Sequence, residues 1–311
     1  MTVVGEVLVD LLWPAGAAQL TAVPGGSPAN VAVGLDRLGR TVTLVTTWGD
    51  DHPGEQISGH LAASGVEVVR AASLSGRSTV ALAYLDSNNS ATYNFLAFWD
   101  PRRLEIAPDT SVLHTGSLAI VLEPGASEVL RLCKEVHAGG GPAVVVDLNV
   151  RPAVQPDRDA YRAVCMRLAE AADVVKASEE DLAWLFPGLD PVASARVVAA
   201  AGPRLVVVTL GSEGALAVTA DVEVRVPAPR IAVADTVGAG DSFQAALLDA
   251  IASWVKQPRA GGRLSPPATA EEIGAVLTRC VAAAAINCTR TGANPPTAAE
   301  LATELATETE S

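Results

Sequence analysis

A glycine-rich segment near residue 240 places a carboxylate beside uncovered peptide nitrogens. Residues 235–243 read DTVGAGDSF and lead into an apolar helical pattern. Glycine and alanine at a helix start leave successive backbone N–H groups uncovered, and these donors form a site for an anion together with the positive end of the helix dipole. We therefore predict an anion hole at this helix start. Its donors would be the backbone amides of Val237, Gly238, Ala239 and Gly240.

Asp241 lies in the first turn of the same helix pattern, directly beside this predicted anion hole. A carboxylate there can take the proton of a hydroxyl group that attacks a phosphoryl group, while the amides hold negative charge. The helix start favours the ionised carboxylate and so makes Asp241 a weak base, but positioning and charge stabilisation carry most of the rate in phosphoryl transfer. The alternative is that Asp241 only caps the helix and the glycines only turn the chain.

Two common nucleotide-binding motifs do not occur in the sequence. There is no Gly-Lys dipeptide and hence no P-loop, and G-x-G-x-x-G is absent because Phe243 stands three residues after Gly240. The chain has three lysines, so positive charge near phosphates must come mainly from arginine, a metal ion or amides. These observations disfavour a P-loop ATPase and a dinucleotide dehydrogenase.

Composition and charge narrow the possible partners. The 22 Lys and Arg against 35 Asp and Glu give a net charge of −13, so no general basic field is available for nucleic acid. No apolar run approaches the roughly 18 residues that cross a membrane, and no secretory leader is recognisable. We expect a cytoplasmic protein with reduced core thiols. The cysteines are Cys133, Cys165, Cys280 and Cys288.

Short β-branched runs alternate with amphipathic helical stretches along the chain. Buried strands are predicted at 3–9, 41–48, 143–148, 173–176 and 205–209. Helices are predicted near 28–38, 53–64, 126–137, 159–171, 191–201, 239–256 and 271–288. This alternation predicts an α/β fold with a mostly parallel sheet that is covered by helices on both faces.

Two segments, about 11–24 and 77–99, differ from this pattern, because apolar and polar residues alternate in them with a period of two. They predict antiparallel strands and a hairpin with its turn at 87–90, forming a small β-strand lid within a single domain of residues 1–311. Such a patch serves as a lid or as a dimerisation surface, and the sequence leaves both open. Residues 258–267 predict a flexible loop, and residues 298–311 a last helix that frays into an acidic C-terminal tail.

Two motifs in the same order make the sequence resemble the ribokinase-like (PfkB) carbohydrate kinases. Residues 235–245 resemble the C-terminal signature of that family, and residues 25–32, GGSPANVA, resemble its N-terminal signature. Further matches follow the family order over nearly the whole chain. They lie at 5–10, 147–152, 174–185, 209–214 and 289–293, and the appearance is closest to the fructokinase branch.

The resemblance implies a three-layer α/β/α ribokinase-like fold and a kinase that transfers the γ-phosphoryl group of ATP to a primary hydroxyl of a sugar. Mg²⁺ would bridge the phosphates, and Asp241 would be the catalytic base. Fructose is the expected acceptor, with 2-keto-3-deoxygluconate, ribose or a nucleoside as alternatives. An inactive sugar- or nucleotide-binding homologue is the alternative of another class. Expected partners are the sugar, ATP and a second copy of the chain through the lid.

The resemblance also assigns binding residues. Asp10 can accept two sugar hydroxyls, Gly25 and Gly26 allow close backbone approach, and Asn30 can donate and accept. The further expected substrate-binding residues are Asp147, Arg151 and Asp241, where Arg151 could serve an acidic sugar. The expected nucleotide-binding residues are Ser178, Thr209, Gly211, Gly214, Gly238 and Gly240.

One stretch departs from the family pattern. Where the family commonly has N-x-x-E, which organises Mg²⁺ through water, this chain has Ser178-Glu179-Glu180-Asp181. Asp181 then either replaces the Glu near Mg²⁺ or forms a helix cap with Ser178, and both interpretations stay open. By analogy with the family, a monovalent cation such as K⁺ would lie near Asp235.

Overall fold

The computed structural model describes residues 1–86, 91–255, 264, 267 and 269–309. Within them, nine strands form a central sheet, and we number all strands along the chain. The central strands are β1 (Thr2–Val4), β4 (Thr43–Thr46), β5 (Glu67–Arg70), β8 (Val112–Gly116), β9 (Ala143–Asp147), β10 (Val174–Ser178), β11 (Leu205–Thr209), β12 (Ala215–Val218) and β13 (Glu223–Val226).

The central sheet has the strand order β13-β12-β11-β10-β9-β8-β1-β4-β5. The pairs from β11 to β5 are parallel, and β12 and β13 add an antiparallel edge. Because parallel strands bring their carboxyl ends to one edge, the residues after β9, β10 and β11 meet there. The predicted mostly parallel sheet is confirmed.

Helices cover both faces of this sheet. They are α1 (Ser27–Arg37), α2 (His52–Ala62), α3 (Gly125–Gly139), α4 (Arg158–Ala169), α5 (Glu179–Leu185), α6 (Pro191–Ala199), α7 (Ala239–Val255), α8 (Ala270–Cys288) and α9 (Ala298–Thr309). One buried apolar cluster joins α1, α2, α7, α8 and α9 to the sheet, and a second joins α3 to α6 to the opposite face. The three-layer α/β/α architecture is thus as predicted, and the seven predicted helices are correct to within two residues at each end.

A second sheet of four strands lies beside the central one, in the order β3-β2-β6-β7. Its strands are β2 (Leu8–Pro14), β3 (Thr21–Gly25), β6 (Thr79–Leu85) and β7 (Ala91–Leu96). The predicted antiparallel pairs are present, but β2 and β6 run parallel, so the sheet is mixed. The predicted turn at 87–90 lies outside the described residues.

The single strand predicted at 3–9 is wrong, because the chain changes sheets within it. Gly5 still donates its N–H to the Val45 carbonyl at 3.2 Å, and β1 therefore extends the central sheet to this point. A Cβ on Gly5 would collide with the side chain of Pro28 at the start of α1, so a larger residue does not fit. The chain then turns at Glu6 and enters the second sheet at Leu8.

The structure also contains elements that the sequence pattern did not indicate. The strands β5, β8, β12 and β13 and the short helix α5 belong to this group. At the C-terminus α9 continues to Thr309, so the predicted tail is helical as far as the structure describes it. Leu301 packs into the core, and most of the other residues of this helix are exposed, as expected for an acidic surface segment. The predicted loop at 258–267 lies outside the described residues apart from Leu264 and Pro267. Among the described helices, none has an apolar stretch of membrane-spanning length.

Candidate active site

Asp241 lies in the first turn of α7 and is held by two side chains from α1. Its Oδ1 accepts a hydrogen bond from Ser27 Oγ at 2.7 Å, and its Oδ2 accepts one from Asn30 Nδ2 at 2.8 Å. The two helices approach so closely at Gly34 of α1 that a Cβ there would lie only 2.7 Å from the Cβ of Ala245 in α7. The two signature motifs, more than 200 residues apart in sequence, therefore meet at one carboxylate.

The backbone amides beside Asp241 divide into two groups. Val237 N donates to Asp235 Oδ1 at 3.0 Å, and Ala239 N donates to the Thr236 carbonyl at 3.2 Å. The amides of Gly238 and Gly240, like that of Asp241, have no partner in the described part of the chain. Two of the four predicted anion-hole amides are therefore used within the loop, while two remain free together with the amide of Asp241 itself.

The loop before α7 is fixed by the segment that follows α8. The fully buried Asn287 donates from Nδ2 to the Val237 carbonyl at 2.7 Å, and Asp235 Oδ2 accepts from Gly292 N at 2.8 Å. Gly238 has a φ of +77°, and a Cβ there would lie 2.6 Å from that of Ala293. Glycine is thus required at 238 by both its backbone conformation and its close approach to the neighbouring segment.

A cavity of about 1010 Å³ opens in front of Asp241. The predicted substrate residues Asp10, Gly26, Asn30 and Arg151 line it, together with Asn149 and Ser117. Tyr93 and Phe95 of β7 also line it, with their rings stacked at 5.8 Å, and neither was indicated by the sequence. The second sheet therefore forms one wall of the cavity, and the start of α7 forms another.

Two predicted substrate residues, Gly25 and Asp147, do not line the cavity. Gly25 packs against Asp10, since a Cβ on it would lie 3.3 Å from Asp10 Oδ2. Asp147 is buried and its Oδ2 accepts a hydrogen bond from Lys176, so it does not line the cavity. Its Oδ1 is buried without a hydrogen-bond partner in the described residues. Both residues support the cavity wall instead of forming its surface.

Asp10 lies in the middle of β2 and faces the cavity. Burial raises the pKa of Asp10 to about 6, and the positive charge of Arg151 limits the rise. Burial also raises the pKa of Tyr93, with a further contribution from the charge of Asp10. Asp10 has no hydrogen bond from a side chain in the part of the chain that is described, so its carboxylate oxygens are available to a ligand.

Glu6 is a second buried carboxylate on the cavity wall. Its oxygens accept hydrogen bonds from Leu118 N at 3.3 Å and Ala119 N at 3.0 Å. Burial raises the pKa of Glu6 to about 7, although these hydrogen bonds oppose the rise. By bonding these amides, Glu6 ties the crossing between the two sheets to the short 3₁₀ turn Ser117–Ile120.

The other half of the cavity is lined by the residues expected to bind the nucleotide. Ser178, Thr209, Gly211 and Gly214 all line it, at the carboxyl edge of β10 and β11 and in the turn that follows. The remaining wall is largely apolar. It consists of Ile231, Val233, Val281, Ala284, Ala285 and Cys288. A polar edge beside an apolar wall suits a ligand with phosphates at one end and a flat ring at the other.

The sequence did not indicate Lys176 as a site residue. Its Nζ donates to Asp147 Oδ2 at 2.8 Å, and the two residues are partners in register on the parallel strands β10 and β9. Burial alone would lower the pKa of Lys176, but the charges of Asp147, Asp181 and Asp241 raise it above its usual value. Burial raises the pKa of Asp147 to about 6, against the attraction of the lysine.

Ser178 and Asp181 form a reciprocal capping box at the start of α5. Ser178 Oγ accepts from Asp181 N at 3.0 Å, and Asp181 Oδ2 accepts from Ser178 N at 2.8 Å. Asp181 Oδ1 accepts from Val150 N at 2.8 Å as well. The helix-cap interpretation of this stretch is confirmed, and both carboxylate oxygens are engaged by backbone amides.

The donor set for a divalent cation is sparse. Within the described residues, no group of three or more His, Cys, Asp or Glu side chains converges to hold a metal ion. Mg²⁺ in nucleotide enzymes is commonly held by phosphates and water with one or two carboxylates. Two carboxylates, Glu180 and Asp181, lie on this part of the cavity wall. They fit a metal ion that is held mainly by phosphates and water, and they do not fit a metal ion enclosed by protein ligands.

The family model of pfkB family carbohydrate kinases matches residues 2–300 of the chain. The chain therefore belongs to this family, whose members are ATP-dependent phosphotransferases. It is 34% identical to a fructokinase of Klebsiella pneumoniae over 286 residues, which covers 89% of this chain and 92% of the relative. It is also 34% identical to a fructokinase of Rhizobium leguminosarum bv. trifolii over 254 residues, with 78% and 77% covered.

Solved structures give the same family relationship. A fructokinase double mutant from Vibrio cholerae O395, with fructose, ADP and a potassium ion bound, superposes with a TM-score of 0.78 at 25% identity over 98% of this chain and 96% of that one. An aminoimidazole riboside kinase from Salmonella enterica, in complex with aminoimidazole riboside and an ATP analogue, superposes with a TM-score of 0.80 at 25% identity, covering 98% and 99%.

Proposed function

We propose that the protein phosphorylates fructose, with ATP as phosphoryl donor and Asp241 as the base that takes the proton of a primary hydroxyl. The single observation that carries this proposal is the position of Asp241. Its carboxylate is fixed by Ser27 and Asn30 and lies beside the free amides of Gly238 and Gly240, on a cavity that also contains Asp10.

Each residue has a role that follows from its chemistry. Ser27 and Asn30 each donate a hydrogen bond to the carboxylate, so they hold Asp241 in one orientation. The free amides of Gly238, Gly240 and Asp241 are donors for the charge that develops on the transferred group. Asp10, on the wall formed by the second sheet, accepts hydrogen bonds from the sugar hydroxyls. Tyr93 and Phe95 cover the cavity and reduce the access of water, which would compete as acceptor.

Mg²⁺ would be held mainly by the phosphates of ATP and would neutralise their charge. Glu180 and Asp181, which line the cavity beside Ser178, are the carboxylates that we propose for it. A K⁺ ion near Asp235 is part of the proposal because the Vibrio cholerae fructokinase structure contains potassium. Both oxygens of Asp235 already accept backbone N–H groups, so the carboxylate would act on such an ion by its charge and through its remaining lone pairs.

The choice of fructose rests on the relatives, which are fructokinases. Ribose, a nucleoside and 2-keto-3-deoxygluconate are the competing acceptors. An acidic sugar is less well served, because the guanidinium of Arg151 donates to the Val150 carbonyl and faces the negative charge of Asp10. The aminoimidazole riboside kinase among the structural relatives keeps a riboside among the acceptors to be tested.

The test is ADP formation by the wild-type protein over a panel of fructose, ribose, 2-keto-3-deoxygluconate, adenosine and inosine, followed by the Asp241→Asn variant. We expect fructose to give the highest kcat/KM. We expect Asp241→Asn to lower kcat by roughly 10²–10⁴-fold, the usual range for loss of a general base, with sugar binding largely retained in calorimetry.

The matched control is Asp159→Asn, because Asp159 is an exposed carboxylate in the first turn of α4, away from the cavity. Its activity should equal that of the wild type. If the wild type binds sugar but forms no ADP with any acceptor, the protein is instead a sugar-binding homologue without catalysis. If Asp241→Asn keeps its activity, Asp241 is not the base.

We further propose a homodimer formed through the second sheet and a cytoplasmic location. Trp13 and Tyr84 stack at 5.5 Å on the face of this sheet opposite to Asp10, and Leu96, also on that face, is 68% exposed. An exposed apolar face of this kind fits a second copy of the chain. The free thiols of Cys133, Cys165 and Cys280 are buried, and they fit a reducing compartment.

A further inference from the structure

Lys176 is a buried cation that reaches the active-site cavity with unused donors. Its side chain is only 5% exposed, yet the residue lines the cavity. An ammonium group has three N–H donors. In the described part of the chain, Nζ makes one hydrogen bond, the one to Asp147. Two donors are therefore left for a ligand, whereas a lysine with a purely structural role would be expected to use them within the protein.

Gly240 leaves open space directly beside this ammonium group. Its φ lies outside the left-handed region, so the backbone does not require glycine at this position. Glycine is less favourable than alanine in a helix by about 0.5–1 kcal/mol, so its presence needs another reason. Apart from the adjacent residues and the backbone of α7 itself, Lys176 Nζ, at 3.5 Å, is the one described heavy atom within 4 Å of the place where a Cβ would lie. A side chain at 240 would separate Lys176 from a ligand.

The charges around the site favour a cation at this position. Asp147 and Asp241 lie close enough for their charges to interact, and a phosphoryl group that approaches the start of α7 meets this negative charge. Coulombic repulsion between like charges is strong where water is scarce. The attraction of Asp147, Asp181 and Asp241 keeps the pKa of Lys176 above its usual value, so the ammonium group stays charged at neutral pH.

We propose that Lys176 contacts the phosphoryl group during its transfer and that Asp147 holds the ammonium group in place. This role rests on the proposed kinase function and adds a side-chain cation to the anion hole. In the transfer the bond from the γ-phosphorus to the ADP oxygen breaks, and a bond to the sugar oxygen forms. The hydroxyl proton goes to Asp241, while Lys176 keeps its proton and stabilises the charge on the phosphoryl oxygens.

The first test is the double variant Asp147→Asn/Lys176→Met, compared with the single variant Asp147→Asn. Removal of the lysine alone would leave an uncompensated buried carboxylate, which destabilises the fold, whereas the double variant removes both charges. We expect the double variant to keep its thermal stability and its sugar affinity but to lose at least about 100-fold in kcat, the usual cost of one donor in an anion hole. Asp147→Asn, which keeps the cation, should lose less than about tenfold. Equal kcat in the two variants would overturn the proposal.

A second measurement tests the proposal even if the double variant Asp147→Asn/Lys176→Met fails to fold. It measures binding and does not depend on catalysis. The variant Lys134→Arg/Lys256→Arg leaves Lys176 as the single lysine of the chain. With ¹⁵N-labelled lysine, its Nζ signal should shift in NMR when a non-hydrolysable ATP analogue binds and stay in place with adenosine or fructose alone. No shift with the bound analogue would overturn the phosphate contact. Because this signal reports binding only, it stays decisive even if the wild type phosphorylates no sugar.

Discussion

Asp10 is a carboxylate whose raised pKa makes a pH dependence measurable. Its pKa is raised to about 6 by burial, so its protonated fraction grows as the pH falls through that value. A protonated Asp10 loses acceptor capacity for sugar hydroxyls. We therefore predict that KM for the sugar rises as the pH falls through about 6, while kcat changes less, since in the proposed site Asp10 binds the sugar and does not take its proton. Steady-state kinetics between about pH 5 and about pH 8 measure this dependence.

The variant Asp10→Asn is the control for this pH dependence. It should raise KM by roughly 10- to 100-fold, as expected for loss of hydrogen bonds to a charged group, and should remove the rise of KM at low pH. If KM still rises at low pH in this variant, another titrating group on the cavity wall causes the rise. Glu6 is the first candidate, because burial raises its pKa to about 7.

Single residues differ in how far the sequence could predict them. Asp10, Asn30 and Asp241 belong to contiguous motifs, and the structure brings all three to one cavity. Lys176 was missed because a lysine within a strand reads as a solvent-exposed residue, although Asp147 at the matching register of the next strand was a usable signal. Ser27 was missed because its contact with Asp241 depends on the packing of two helices that are distant in sequence.

The contact between α1 and α7 positions the site at the level of secondary structure. Gly34 allows this contact, because a Cβ there would lie 2.7 Å from the Cβ of Ala245. We predict that Gly34→Ala destabilises the protein by about 1–3 kcal/mol through overpacking. It should also lower kcat, since separation of the helices moves Ser27 and Asn30 away from Asp241. Urea unfolding and ADP formation measure the two effects.

Gly59 provides the matched control in α2, because nothing lies within 4 Å of a Cβ placed there. Gly59→Ala should leave activity unchanged and stabilise the helix by up to about 1 kcal/mol. If Gly34→Ala behaves in the same way as Gly59→Ala, the close approach of α1 and α7 does not determine the geometry of the site.

The helices could be predicted from the sequence better than the strands. Each predicted helix has a continuous apolar stripe, so its ends lie within two residues of the prediction. The run at 3–9 reads as one strand because both of its parts are apolar. The contacts that accompany the change of sheets, Gly5 against Pro28 and Glu6 with the amides of 118 and 119, join residues distant in sequence and are not visible in the local pattern. β8 was missed because its short run contains His114 and Thr115, polar residues that are buried in the fold.

At the level of the whole molecule, the outer face of the second sheet predicts the oligomeric state. Trp13, Tyr84 and Leu96 are large apolar residues that are exposed there. We predict that the wild type sediments as a dimer and that Trp13→Arg/Leu96→Arg sediments as a monomer with unchanged circular dichroism. Leu189→Arg, an exposed apolar position outside this sheet, should remain dimeric. A wild type that sediments as a monomer at micromolar concentration contradicts the proposed dimer.

The change of sheets at Glu6 places the two carboxylates of the proposed acceptor site on different parts of the fold. Asp10 belongs to the second sheet, whereas Asp241 belongs to α7, which packs on the central sheet. An acceptor that hydrogen-bonds to both carboxylates would link the second sheet to the helical layer of the central one. We therefore expect little ADP formation from ATP alone, before an acceptor alcohol is bound.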